Sequence, residues 1–112
     1  MANQSIGVRE ACEAFCCSLE AGRYYAAHED LEAIWFPRRH ESNDEVRLWK
    51  GFINAAVSFE LHKRGRIFPS RTVWETYCKY QPLLETIESD HYEIYVKMEQ
   101  LIQHRRNLCL LF

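Results

Sequence analysis

Residues 24–35 have the sequence YYAAHEDLEAIW, whose spacing predicts an amphipathic helix with a histidine on its apolar face. The apolar stripe follows from steps of four, three and four residues, and it contains Tyr24, His28, Leu31 and Trp35. We expect His28 to be mostly buried within this stripe. Because polar groups here meet a hydrophobic interior, any chemistry performed by the chain is expected at this helix.

The composition is that of a small globular protein. The 112 residues predict one domain, residues 1–112, long enough to bury a core without disulfides. The net charge of -2 gives no general attraction to nucleic acid or anionic membranes, and no apolar run approaches the ~20 residues of a membrane span. No signal peptide is recognised and no Cys-x-x-Cys occurs, so we expect a cytoplasmic protein with reduced thiols.

Helical periodicity extends along nearly the whole chain. It predicts six helical segments, which are about 8–21, 23–36, 42–64, 70–81, 83–88 and 90–108. Ser42 with Glu45 forms a capping box for the third helix, and Ser70 or Thr72 is expected to cap the fourth after a basic turn over 63–70. Gly22 predicts a tight hairpin between the first two helices, and Pro82 predicts a break.

The third helix is apolar on nearly all sides, which is typical of a helix surrounded by others. Its small residues Gly51, Ala55 and Ala56 would let a neighbouring helix approach closely. No long stretch alternates with period two, so no sheet is expected. The sequence therefore predicts an all-α fold, a compact single-domain bundle of five or six helices with a central apolar helix.

Three motifs resemble those of one family of small helical proteins. They are Tyr25-x-x-His28-Glu29-x-Leu31-Glu32-x-x-Trp35, Gly51-Phe52-Ile53-x-Ala55-Ala56 and Lys63-Arg64-Gly65. Over about residues 10–66 the chain is similar to the DUF309 family of bacterial and archaeal proteins, with Asn54 where that family usually has Gln. The resemblance implies an all-helical fold, and it implies no established activity and no cofactor.

The string His28-Glu29-x-x-Glu32 is similar to the His-Glu-x-x-His helix of zinc enzymes, with a carboxylate in place of the second histidine. His28 and Glu32 could chelate a divalent ion with Glu60 as third ligand, or they could act with Glu29 in acid/base catalysis. The preferred interpretation is structural, a buried His28 paired with Glu32. A candidate binding pocket would contain Tyr25, His28, Glu32, Trp35 and Glu60.

Three further patterns each have a functional and a simpler structural explanation. A basic cluster could bind RNA. Cations at helix ends more usually keep the surface solvated and interact favourably with the helix dipole. The cluster contains Arg38, Arg39, Lys63, Arg64, Arg66 and Arg71. Cys12 and Cys16 could share a soft metal ion, but we expect them to pack as small apolar side chains. Glu88 and His91 have the Glu-x-x-His spacing of di-iron bundles, which need that motif twice.

Two classes of function remain open. The preferred one is a non-enzymatic helical module for self-association or partner binding. The alternative is a small hydrolase-like enzyme, metal-dependent or acid/base, that uses a pocket at His28 and Glu32. The apolar run 108–112 should bury itself, and we expect it to do so in a homodimer, although it could instead close the bundle within one chain.

Overall fold

The computed structural model describes residues 7–109, with side chains through Leu108, and it contains five α-helices and two short 3₁₀ helices. The α-helices are α1 (Val8–Glu20), α2 (Tyr24–Trp35), α3 (Asp44–Lys63), α4 (Ile67–Tyr80) and α5 (Tyr92–Cys109). The 3₁₀ helices span Phe36–Arg38 and Gln81–Glu85. Residues 7–109 include no strand, and they form one compact body, as the sequence predicted.

The hairpin between α1 and α2 depends on a left-handed glycine. Gly22 has a φ of 75°, and the Arg23 amide donates to the Ser18 carbonyl at 2.9 Å, so the last turn of α1 is closed as the chain reverses. The Ser18 hydroxyl also donates to Asp30 Oδ2 at 2.7 Å, which ties the two helices together. The predicted tight hairpin is confirmed.

Helix α3 is the central helix of the bundle, as predicted. It contacts α2, α4 and α5, and Trp49, Phe52 and Phe59 are almost completely buried along it. Trp49 Nε1 donates to the Tyr95 hydroxyl of α5 at 2.9 Å, which satisfies the buried indole N–H. Gly51 lies against α4, where a Cβ would approach Tyr80 Cβ to 3.0 Å. The small residue therefore permits the close approach that the sequence indicated.

The buried face of α2 is rotated from the predicted stripe. It is formed by Tyr24, Ala27, Leu31 and Ile34. Position 28 was expected at the centre of this face, but Ala27 occupies it because its small side chain fits against the neighbouring helices. His28 and Trp35 consequently lie at the edge of the core and remain partly exposed.

The predicted cap of α3 is wrong by one residue. Asn43, not Ser42, is the N-cap, and its Oδ1 accepts from the amides of Glu45 and Val46 at 2.8 and 3.3 Å. The Glu45 carboxylate does not complete a capping box, because it accepts hydrogen bonds from the side chains of Ser89 and Tyr95. The tertiary contacts at this end of α3 therefore replace the local capping pattern.

The predicted start of α4 is also wrong. The helix begins at Ile67, two residues after the left-handed Gly65, and it accommodates Pro69 in its first turn, where proline is tolerated. Ser70 is completely buried rather than capping. Ser58 Oγ donates to the Ser70 carbonyl and Ser70 Oγ donates to the Ser58 carbonyl, both at 2.8 Å. This reciprocal pair holds α4 closely against α3.

The C-terminal third follows the sequence prediction in outline. Pro82 does interrupt the helix, but the segment after it is a 3₁₀ helix ending at Glu85, and α5 starts at Tyr92. Leu108 is exposed at the end of α5. The predicted burial of the tail falls largely on residues 110–112, which lie outside the described residues. Within residues 7–109, none of the helices combines the length and apolar character needed to cross a membrane.

Polar groups inside the bundle are joined in a small network between α4 and α5. The Tyr77 hydroxyl donates to Glu99 Oε1 at 2.5 Å and accepts from Gln103 Nε2 at 2.8 Å. Burial raises the pKa of Glu99 above its usual range, although the hydrogen bonds to its carboxylate from Tyr77, Gln103 and Gln81 act in the opposite direction. Glu99 is thus a carboxylate whose ionisation opposes folding.

Two cysteines of α1 belong to the core. Cys12 and Cys16 are buried free thiols, as expected for small apolar side chains. Burial raises the pKa of Cys12 to about 12 and that of Cys16 to about 11. Both side chains are therefore protonated and unreactive at neutral pH.

Candidate functional site

A cleft lies between the first turns of α2 and the C-terminal half of α3, and we call it the α2–α3 pocket. Tyr24 packs on Phe59 with ring centroids 5.4 Å apart, which holds the start of α2 beside the end of α3. The volume of the pocket is about 220 Å³. Its lining consists of Tyr25, His28, Val57, Glu60, Leu61, Arg64 and Arg66.

His28 lies in the wall of this pocket, with its side chain 17% exposed. Its Nδ1 is 3.1 Å from the Tyr25 carbonyl oxygen, and its Nε2 is 3.2 Å from Glu32 Oε2. The predicted pairing of His28 with Glu32 is therefore present. Each ring nitrogen therefore faces an oxygen of its own helix, one in the backbone and one in a side chain.

Glu60 is paired with a cation rather than with the histidine. Arg64 Nε donates to Glu60 Oε2 at 2.6 Å, one turn along α3. The proposed metal-binding trio of His28, Glu32 and Glu60 is not assembled. Among residues 7–109, no three or more His, Cys, Asp or Glu side chains are arranged to hold a metal ion.

The pocket covers less of α2 than the sequence predicted. Glu32 and Trp35 were expected in its wall but lie outside the lining. Glu32 is 43% exposed and reaches the pocket only through His28, whereas Trp35 packs partly buried at the edge of the core. Glu29 is exposed and also lies outside the lining. Of the expected residues, the structure brings together Tyr25, His28 and Glu60.

Four lining residues were not predicted as members of the pocket, and these are Val57, Leu61, Arg64 and Arg66. Val57 and Arg64 lie three residues before and four residues after Glu60, and Leu61 lies four residues after Val57, so helical spacing connects all three with the face of α3 that carries Glu60. The helical spacing of α3 could therefore have predicted these three residues as members of the pocket. Arg66 lies beyond Gly65, and its position depends on the turn.

One edge of the pocket continues into a cationic surface, residues 63–71, which we call the basic segment. It contains no Asp or Glu, and its cations are Lys63, Arg64, Arg66 and Arg71. These four cations belong to the basic cluster predicted from the sequence, which did not include the apolar residues among them. Phe68 is 80% exposed and Ile67 is 39% exposed at the start of α4, so a large aromatic ring projects from the cationic surface.

A segment of opposite charge, residues 85–93, precedes and begins α5, and we call it the acidic segment. It contains no Lys or Arg, and its carboxylates are Glu85, Glu88, Asp90 and Glu93. Ser89 Oγ donates to Glu45 Oε2 at 2.6 Å, which fixes the segment to the first turn of α3. Tyr92 is 43% exposed within it. Glu88 and His91 line an open cavity here of about 490 Å³.

Comparison with known proteins identifies the family of the chain. The family model described as a domain of unknown function (DUF309) matches residues 12–73, more than half of the chain. The matched range includes every residue of the α2–α3 pocket and the whole basic segment. Neither the comparison with curated proteins nor that with solved structures found a match.

Proposed function

The chain belongs to the DUF309 family, and we propose that it is a non-enzymatic helical module that binds a segment of a protein chain at the α2–α3 pocket. The partner segment carries one apolar side chain flanked by carboxylates. A cytoplasmic site of action is part of the proposal, and it is supported by the free thiols of Cys12, Cys16, Cys17 and Cys78.

The size of the pocket carries the proposal. Sites for small molecules and cofactors occupy roughly 300–1,000 Å³, whereas this pocket occupies about 220 Å³. A pocket of this size has room for a single side chain. Protein interfaces commonly insert such an anchor into a pocket and exclude water around it. Tyr25, Val57 and Leu61 supply the apolar surface that an anchor requires.

The charge around the pocket defines the flanks of the partner segment. Glu60, the carboxylate in the lining, is already paired with Arg64. Arg66 and the neighbouring Lys63 are exposed and leave the rim cationic. Carboxylates on either side of the anchor would therefore be attracted to the rim, whereas cations would be repelled.

The enzymatic alternative receives less support from the same geometry. A general base needs a nitrogen lone pair that can reach the substrate. Both nitrogens of His28 face oxygens of α2, and Glu60 faces Arg64. These contacts fit a role in shaping the pocket wall better than a role in proton transfer.

A peptide-display experiment tests the proposal without knowledge of the natural partner. A random peptide library is panned on the full chain and, in parallel, on the Val57→Glu variant, whose new carboxylate would repel the acidic flanks. Val73→Glu is the matched control, because Val73 is also partly buried but lies outside the pocket lining.

We expect the wild type and the control to enrich peptides with an apolar residue between Asp or Glu, and Val57→Glu to lose them. Circular dichroism would establish that both variants are folded. Enrichment of basic peptides, or equal enrichment on Val57→Glu, would contradict the proposal.

A further inference from the structure

The two charged segments lie at opposite ends of the central helix. The basic segment begins at the end of α3, and the acidic segment is fixed to its first turn through Glu45 and Ser89. The 20 residues of α3 span about 30 Å, in a molecule whose longest dimension is 42 Å. The two segments of one chain therefore lie too far apart to cover each other.

Helix dipoles explain part of this charge separation but not all of it. Acidic residues near the N-terminus of a helix and basic residues near its C-terminus are stabilising. Exposed aromatic rings contribute nothing to that effect. Nevertheless Phe68 projects from the basic segment and Tyr92 is half exposed in the acidic one. Each charged end thus includes the kind of side chain that anchors an interface.

The acidic segment also has the chemistry that the α2–α3 pocket requires. Tyr92 has an apolar ring, and it lies close in sequence to the carboxylates of Glu88, Asp90 and Glu93. An anchor of this kind, with negative flanks, matches a small apolar pocket beside Arg66. Charge complementarity of this type guides encounter and sets the orientation of two partners.

We propose that the partner is a second copy of this chain, whose acidic segment binds the α2–α3 pocket and the basic segment of the first, with Tyr92 as the anchor. This inference rests on the proposed function and identifies its partner. The contact joins different surfaces of the two copies. Two copies that make this contact twice with each other form a closed dimer. Copies that make it only once with each neighbour form a longer assembly.

A charge-swap experiment tests the proposal on the full chain. One variant carries Lys63→Glu and Arg66→Glu, and the other carries Glu88→Lys and Asp90→Lys. All four positions are exposed, so both variants should fold, as circular dichroism would establish. Association is measured by sedimentation equilibrium for the wild type, each variant and their equimolar mixture, at low and high salt.

We expect the wild type to associate less at high salt and each variant alone to associate about tenfold more weakly or worse. The mixture should recover association, because the first variant keeps its acidic segment intact and the second keeps its basic segment intact, so these two surfaces can still pair. Tyr92→Ala should also weaken association, whereas the control Phe36→Ala, an exposed aromatic in neither segment, should not.

Three outcomes would overturn the inference. They are a wild type that stays monomeric at high micromolar concentration and low salt, a mixture that does not recover association, and loss of association when only residues 108–112 are deleted. The last outcome would assign the dimer to the apolar tail. Peptide binding at the pocket by a monomeric wild type would overturn the second-copy partner and leave the proposed function intact.

Discussion

Replacing Ser58 and Ser70 by alanine, singly and together, tests the contact that positions the start of α4. The two hydroxyls are fully buried, and each donates to the backbone carbonyl of the other residue at 2.8 Å. A net contribution of about 1 kcal/mol is usual for a buried hydrogen bond. Alanine recovers a few tenths of a kcal/mol in helix propensity, so each single variant should lose about 0.5–1 kcal/mol and the double variant about 1–2 kcal/mol.

The assay is urea unfolding followed by circular dichroism, with thermal unfolding as a second measurement. A loss of 1 kcal/mol corresponds to about 4 °C in Tm for a domain of this size. Ser42→Ala is the matched control, because that serine is exposed and should change stability by less than about 0.5 kcal/mol.

The capping role expected from the sequence gives a different pattern. If Ser70 were an N-cap, Ser58→Ala would be neutral and Ser70→Asp would be tolerated, since aspartate is a good cap. The buried pair instead implies that Ser70→Asp is strongly destabilising, because it places a charge in the α3–α4 contact. A stable Ser70→Asp variant together with a neutral Ser58→Ala would refute the reciprocal pair.

Two further predictions concern carboxylates. His28→Ala should lower the free energy of unfolding by about 1 kcal/mol or less, because Glu32 is 43% exposed and water can replace its partner. A fully buried pair would lose ~1–3 kcal/mol. A loss above about 1 kcal/mol in urea unfolding would contradict this prediction. The pKa of Glu99 is raised in the folded state, so the folded state binds a proton more tightly than the unfolded state does. The stabilisation from this proton is full below the unfolded pKa of about 4.3. It is lost as the pH rises through the folded pKa. Unfolding measured from pH 4 upward should therefore show a flatter pH dependence for Glu99→Gln than for the wild type, while the exposed control Glu75→Gln keeps the wild-type slope.

Features that depend on one helix or one turn could be predicted from the sequence. The bend at Gly22 follows from the ease with which glycine adopts a left-handed conformation. The pairing of His28 with Glu32 follows because residues four apart on a helix are neighbours whatever surrounds them. The central position of α3 follows from its lack of a polar face. These properties are set by backbone geometry and by hydrophobicity along the chain.

The tertiary structure decided which side chains meet across helices. The helical periodicity predicted His28 at the centre of the apolar face of α2. In the structure Ala27 is buried on that face, and His28 lies in the wall of the α2–α3 pocket. Glu45 would suit a local cap, yet it bonds with Ser89, 44 residues away. Ser70 likewise would suit a cap and is instead buried against Ser58. The local sequence determines which caps and which buried faces a helix could have. The neighbouring helices determine which of these form, because each buried polar group needs a hydrogen-bond partner in three dimensions.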